Sequence, residues 1–150
     1  MVIKDKINYD LKSALLSGDR FKGEVLRGIK AVILNEEVAQ GKRQEGLDDA
    51  VIEQLIAREV KKRNESAAIY EKAERPELVE NELAEAKIIS EYLPEQLSED
   101  DIKVVVVRVI KELGISGPSA MGQVIGSVKK ELGNSADGAT VAKIVKNELT

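Results

Sequence analysis

Four lysines, Lys129, Lys130, Lys143 and Lys146, flank the polar turn Asn134-Ser135-Ala136-Asp137-Gly138. A helix starting at Asp137 and Gly138 would turn free backbone N–H groups toward the same region. Lysines on flexible stems beside the positive end of a helix dipole are suited to phosphate. The same residues also fit a second reading, a solvated lysine-bearing face of a bundle. No aromatic residue follows Tyr92, so stacking on single-stranded bases is unavailable there. Recognition of folded RNA by shape and charge is the mode these residues allow.

Other chemistries find less support. The chain has neither histidine nor cysteine, which removes the commonest general base, the usual metal ligand, disulfides and thiolate sites. Glu59, Glu65, Glu80, Glu82 and Glu85 could in principle hold a metal, but basic neighbours and the lack of histidine make them read as helix surface. Arg58, Lys61 and Lys62 share a helical face that could contact phosphate, and interleaved Glu59 and Glu65 favour a solvated face with ion pairs. Gly122 and Gly126 are one helical turn apart and lack the lysine of a phosphate loop, so they predict close approach of a neighbouring helix. No serine sits in a nucleophile elbow. Neither a catalytic residue, nor a metal, nor a cofactor is expected.

These groups must be positioned by a chain of 150 residues with 3% aromatic and 33% charged residues. That composition predicts an all-α fold whose core is Leu, Ile, Val and Ala. The net charge of −4 is unevenly spread: residues 103 to 150 hold seven basic and four acidic side chains. Only this last third can attract a polyanion. No apolar run approaches a membrane span, and Met1-Val2-Ile3-Lys4-Asp5 lacks the form of a signal peptide, so the expected location is cytoplasmic.

The joint of the chain is Tyr92-Leu93-Pro94-Glu95-Gln96-Leu97-Ser98. Pro94 disfavours the helical conformation of its predecessor, so one helix should end at about Leu93, and Ser98 with Glu99, Asp100 and Asp101 should start another. This predicts an N-terminal helical domain of about four helices, residues 1–93, and a small C-terminal three-helix bundle, residues 94–150. The first helix carries Ile3, Ile7, Leu11, Ala14 and Leu15 and stops at Gly18. The second, capped by Asp19, carries Phe21, Val25, Leu26, Ile29, Val32 and Ile33. A loop from Gly41 to Gly46 should be mobile. A long helix from Asp48 carries Val51, Ile52, Leu55, Ile56, Val60, Ala67, Ile69 and Tyr70, and a fourth starts at Pro76 with Leu78, Leu83, Ala86, Ile89 and Leu93. Val104 to Val107 would suit a strand alone, but the acidic cap before them and Gly114 after them favour a helix. Two shorter helices follow, with Asp137 as the cap of the last.

Lys61-Lys62-Arg63-Asn64-Glu65, Tyr92-Leu93-Pro94-Glu95-Gln96-Leu97-Ser98, Met121-Gly122-Gln123-Val124-Ile125-Gly126 and Ala136-Asp137-Gly138 resemble, in order and spacing, the stand-alone YqeY-like proteins of the GatB/YqeY family. The resemblance implies an all-helical protein whose small C-terminal domain is similar to the tail of the B subunit of the glutamine-dependent tRNA amidotransferase. There the tail helps hold tRNA, while the chemistry lies elsewhere. Pro94, Met121, Gly122, Gly126, Asp137 and Gly138 are then motif residues of packing and turn geometry. Gly133-Asn134-Ser135 departs from the family pattern, which often has basic residues there, and leaves Lys129, Lys130, Lys143 and Lys146 as the RNA-binding candidates.

The expectation is an accessory protein of tRNA metabolism, with tRNA and an aminoacyl-tRNA enzyme or amidotransferase as partners and neither membrane nor DNA among them. A protein-protein adaptor using the N-terminal helices is the alternative, and a carbon-nitrogen ligase with glutamine as amide donor follows from family similarity only.

Overall fold

The computed structural model describes residues 2–150, so Met1 of the N-terminal stretch lies outside them. They form seven α-helices and no strand: α1 (Ile3–Ser17), α2 (Arg20–Ala39), α3 (Asp49–Lys72), α4 (Pro76–Ser90), α5 (Glu99–Leu113), α6 (Met121–Leu132) and α7 (Gly138–Leu149). The all-α expectation holds. The chain divides into two compact units, Met1–Leu93 and Pro94–Thr150.

In the first unit each helix end has a local cause. Gly18 takes the left-handed conformation at φ 80° and closes α1, and the Asp19 carboxylate accepts the Lys22 N–H at 3.1 Å to cap α2. The cap of α1 comes from a distant part of the chain: the Ile3 N–H donates to Asp49 Oδ1 at 3.1 Å, an acceptor 46 residues away. α3 ends at a non-glycine left-handed residue, Glu74 at φ 57°, and Pro76 occupies the first turn of α4. Ile7, Leu11, Leu26, Ile29, Ile33, Ile52, Ile56 and Ile89 fill the core these helices share.

The stripes are narrower than their spacing suggests. Leu15, Phe21, Ile69 and Leu83 are exposed, Ile69 by 65%. The core reaches along α3 only to Val60, and beyond it Ala67 alone is buried, so Ile69 has helical phase without a neighbour to cover it. The segment from Gly41 to Gly46, expected as a mobile loop, is a hydrogen-bonded turn: Lys42 N–H donates to Glu37 O and Gly46 N–H to Lys42 O, each at 2.7 Å. Leu47 then plugs into the core. α4 ends at Ser90, three residues before the expected Leu93, because the restriction imposed by Pro94 gives way to two tight turns, Tyr92 N–H to Ile89 O and Leu93 N–H to Ser90 O.

Three buried polar groups hold this unit together. Tyr92, 5% exposed, donates its hydroxyl to Asp10 Oδ2 at 2.5 Å, and the Lys6 ammonium lies 5.5 Å from its ring centroid. Glu37, 1% exposed, is met by Lys4 Nζ at 2.8 Å. Glu59 overturns the solvated-surface reading: it is 9% exposed, and Arg63 lies between it at 3.9 Å and Glu85 on α4 at 3.3 Å. Helical periodicity placed Glu59 beside its basic neighbours, but the distance to Glu85 is set by how α4 packs along α3.

In the second unit Ser98 accepts the Asp101 N–H at 3.1 Å, and Glu99, Asp100 and Asp101 lie in the first turn of α5, so the valine run is helical as expected. Its inward members Ile102, Val106 and Val109 pack with Val124, Val128, Val141, Ile144 and Val145, while Val104 and Val107 face outward. Half-buried Met121 packs against this core. The close helix approach expected at Gly122 and Gly126 is absent: both are exposed, and a Cβ on either meets nothing within 4 Å. One-turn spacing marks a shared face and cannot tell whether that face is covered.

Two outcomes test these packing statements. Gly126→Ala should stabilise the protein by about 0.5–1 kcal/mol in urea denaturation, because an interior helical glycine is replaced with no steric conflict, and Gly122→Ala by less, near the helix start. Destabilisation by Gly126→Ala would mean that a neighbour does approach. Burial first, and then the bond to the Asp10 carboxylate, pushes the Tyr92 phenol above its ordinary pKa of 10.0. A group whose folded pKa is raised contributes fully below the unfolded pKa and loses that contribution as pH climbs toward the folded value. Tyr92→Phe should therefore cost about 1–3 kcal/mol at neutral pH, with the wild-type advantage shrinking above about pH 10. A difference that stays constant into the alkaline range would contradict this.

Candidate nucleic-acid interface

The polar end of the second unit is assembled from residues distant in sequence. After α6, Gly133–Ser135 forms a single 3₁₀ turn, and its carbonyls are bonded: Leu97 N–H donates to Ser135 O at 2.8 Å and Gln96 Nε2 to Asn134 O at 2.9 Å. Gln96 also reaches back to Pro94 O at 2.8 Å, so the half-buried Pro94 and the residues after it brace this turn. Gly133-Asn134-Ser135 thus acts as a docking point for the chain after the joint. The pairing spans 38 residues, and no local pattern could have announced it.

Asp137 caps α7 as expected, its Oδ2 accepting both the N–H and the hydroxyl of Thr140 at 3.1 Å. Gly138 opens the helix directly beneath Lys129: a Cβ built there would lie 3.0 Å from Lys129 Nζ. The ammonium therefore stands at the helix N-terminus. Two like-signed partners, the dipole and the lysine, are held there together with one capping carboxylate between them in sequence.

The four candidate lysines are all exposed but do not form one cluster. Lys129 lies over the start of α7. Lys130, the next residue, lines the groove between α5 and α6 with Arg108, Glu112 and Glu131, since adjacent helical residues point about 100° apart. Lys143 and Lys146 stand on the outer face of α7, opposite its buried residues Val141, Ile144 and Val145.

The acidic side chains in this region are already engaged. Arg108 pairs with Glu131 and, at 3.1 Å, with Glu112, and those two carboxylates, Glu131 foremost, push its guanidinium further above its ordinary value. Lys103 meets Glu148 at 3.6 Å, and Asp137 is occupied by its cap. Those are the four carboxylates of residues 103 to 150. Lys129, Lys130, Lys143, Lys146 and Lys111 are left with no carboxylate partner among the described residues. Sequence reasoning missed Lys111, which sits in the last turn of α5, and the only signal was the charge count itself.

Comparison with known proteins adds the family. The model of the family described as "Yqey-like protein" matches residues 4–149. The chain is 32% identical to "Altered inheritance of mitochondria protein 41, mitochondrial" of Kluyveromyces lactis, over 81% of this chain and 66% of that protein. The protein of the same name in Lachancea thermotolerans is 34% identical over 73% of this chain and 59% of its own length. That of Pyrenophora tritici-repentis is 27% identical over 97% and 80%. The chain thus spans just under two thirds of the first of these relatives and less of the second.

These relatives overturn the expected cytoplasmic location, because each is named as a mitochondrial protein. The expectation rested on the lack of a membrane-length apolar run and of a secretory signal form at Met1-Val2-Ile3-Lys4-Asp5, and neither feature distinguishes one aqueous compartment from another. With a family match running over residues 4–149, the chain belongs to the YqeY-like protein family.

Proposed function

We propose that the chain is an accessory protein of tRNA metabolism whose C-terminal unit holds the folded body of a tRNA. The observation that carries this reading is the charge balance just described: every side-chain carboxylate of residues 103 to 150 is engaged, while five lysines have no carboxylate partner among the described residues. Unpaired lysines on a rigid helical surface release counterions from a phosphate backbone when they bind it, which is the main source of sequence-independent affinity. Lys129 contributes beside the N–H groups that open α7, and Lys143 and Lys146 extend the contact along that helix. The unit lacks aromatic residues, so it reads shape and the phosphate path of a folded RNA. Catalysis on the tRNA would belong to a partner, an aminoacyl-tRNA enzyme or amidotransferase.

A second reading is favoured by a different observation. Tyr9 and Leu16 are exposed and seven residues apart on α1, Leu16 by 81%, giving the N-terminal unit an apolar face that suits a protein partner. On that reading the chain is an adaptor and does not touch RNA.

Fluorescence anisotropy of labelled tRNA at low and physiological salt separates the two. Wild-type protein should bind tRNA more tightly than a duplex RNA of similar charge, and Lys129→Glu with Lys143→Glu and Lys146→Glu should weaken binding and flatten the salt slope by about one unit per lysine. Unchanged affinity and slope in the triple variant, or no binding even at low salt, would reject the tRNA reading. A stoichiometric protein partner that survives nuclease treatment and needs only residues 1 to 93 would support the adaptor.

A further inference from the structure

Between α2 and α3 lies a cleft of about 230 Å³ that neither the fold nor the proposed RNA contact uses. Val32, Asn35 and Glu36 form one wall, and Leu55, Arg58 and Glu59 face them. It is smaller than the roughly 300–1,000 Å³ typical of sites for drug-sized ligands, so only a small molecule would fit it.

The charges around it are balanced in number and unequal in engagement. Glu59 is bound by Lys62 at 3.3 Å and by Arg63. Glu36 has one carboxylate oxygen held by Gln40 Nε2 at 2.7 Å, and its other oxygen has no such bond. Arg58 makes no hydrogen bond or ion pair among the described residues. The cleft therefore offers one unengaged guanidinium and one half-engaged carboxylate on opposite helices, beside the aliphatic side chains of Val32 and Leu55 in the same lining.

This arrangement discriminates by charge type. A phosphate or other simple anion would gain Arg58 but meet Glu36 and Glu59, and a polyamine would gain the carboxylates but meet Arg58 and Lys62. A zwitterion satisfies both ends, and a guanidinium is the residue best matched to a carboxylate through two parallel N–H donors. We propose that the α2–α3 cleft binds a free aliphatic α-amino acid, its carboxylate on Arg58, its ammonium on Glu36 and its side chain against Val32 and Leu55.

The test titrates the whole chain with L-leucine by calorimetry and by amide chemical shifts, beside N-acetyl-L-leucine, which lacks the ammonium, and L-leucinamide, which lacks the carboxylate. Saturable leucine binding with a Kd of the order of 1 mM or tighter, shifts centred on residues 32 to 36 and 55 to 62, and at least about tenfold weaker binding of both blocked forms are expected. Arg58→Met, at an exposed position that leaves folding intact by circular dichroism, should weaken leucine by about tenfold or more, and Lys61→Met should leave it unchanged. No binding of leucine up to about 10 mM, equal binding of either blocked form, or an unaffected Arg58→Met variant would each overturn the assignment.

Discussion

The ring of Pro94 is the constraint on which the rest of the chain depends. It removes a backbone donor and disfavours the helical conformation of the residue before it; α4 closes at Ser90, and the chain reaches Pro94 through two tight turns. Those turns put Tyr92 into the core of the first unit, where its hydroxyl binds Asp10 and its ring meets Lys6, both on α1. On the other side of Pro94 the chain serves a different body: Gln96 and Leu97 bond the turn at 133–135, and Ser98 caps α5. A single proline thus separates residues that anchor one core from residues that anchor the other.

The two units use charge in opposite ways. In the first, carboxylates are buried or half-buried and met by partners: Glu37 on α2 by Lys4 on α1, half-buried Asp10 on α1 by the Tyr92 phenol, and Glu59 by Lys62 and Arg63 of its own helix, with Arg63 reaching on to Glu85 of α4. Burying a carboxylate is tolerable only when a partner meets it, so these contacts help specify which helix lies beside which. In the second unit the core is almost wholly aliphatic, and its carboxylates are spent at the surface on Arg108, Lys103 and the α7 cap. What remains outward is a set of lysines without carboxylate partners among the described residues. In the second unit the net positive charge of the sequence thus becomes, in three dimensions, a surface whose side-chain carboxylates are all engaged while five lysines stay outward.

The candidate interface was legible in part. Asp137 as a cap, Gly138 at the start of α7 and the exposure of the four lysines all follow from local rules, because capping and amphipathicity are properties of a few neighbouring residues. Two points were not legible. Lys129 and Lys130 are adjacent in sequence yet serve different surfaces, one over Gly138 and one in the α5–α6 groove, and which surface each meets depends on where α7 and α5 pack. The role of Gly133-Asn134-Ser135 was hidden for the same reason, since its partners come from residues 96 and 97. Gly122 and Gly126 erred in the other direction: their spacing suggested a helix crossing, and the face they share is open.

By itself the sequence determined the helical class, the ends of most helices and the inward residues of the short ones, through Pro94, Pro76, Gly18, Gly114, Ser98 and Asp137 acting on their own neighbourhoods. Only the tertiary structure decided which apolar stripes are covered, why Ile69 and Leu83 stay exposed while Glu37 and Glu59 do not, and which lysines keep no carboxylate partner among the described residues. The physical reason is range. Caps, dipoles and proline restrictions act over one helical turn, whereas burial and ion pairing are settled by groups dozens of residues apart that meet only when the helices pack.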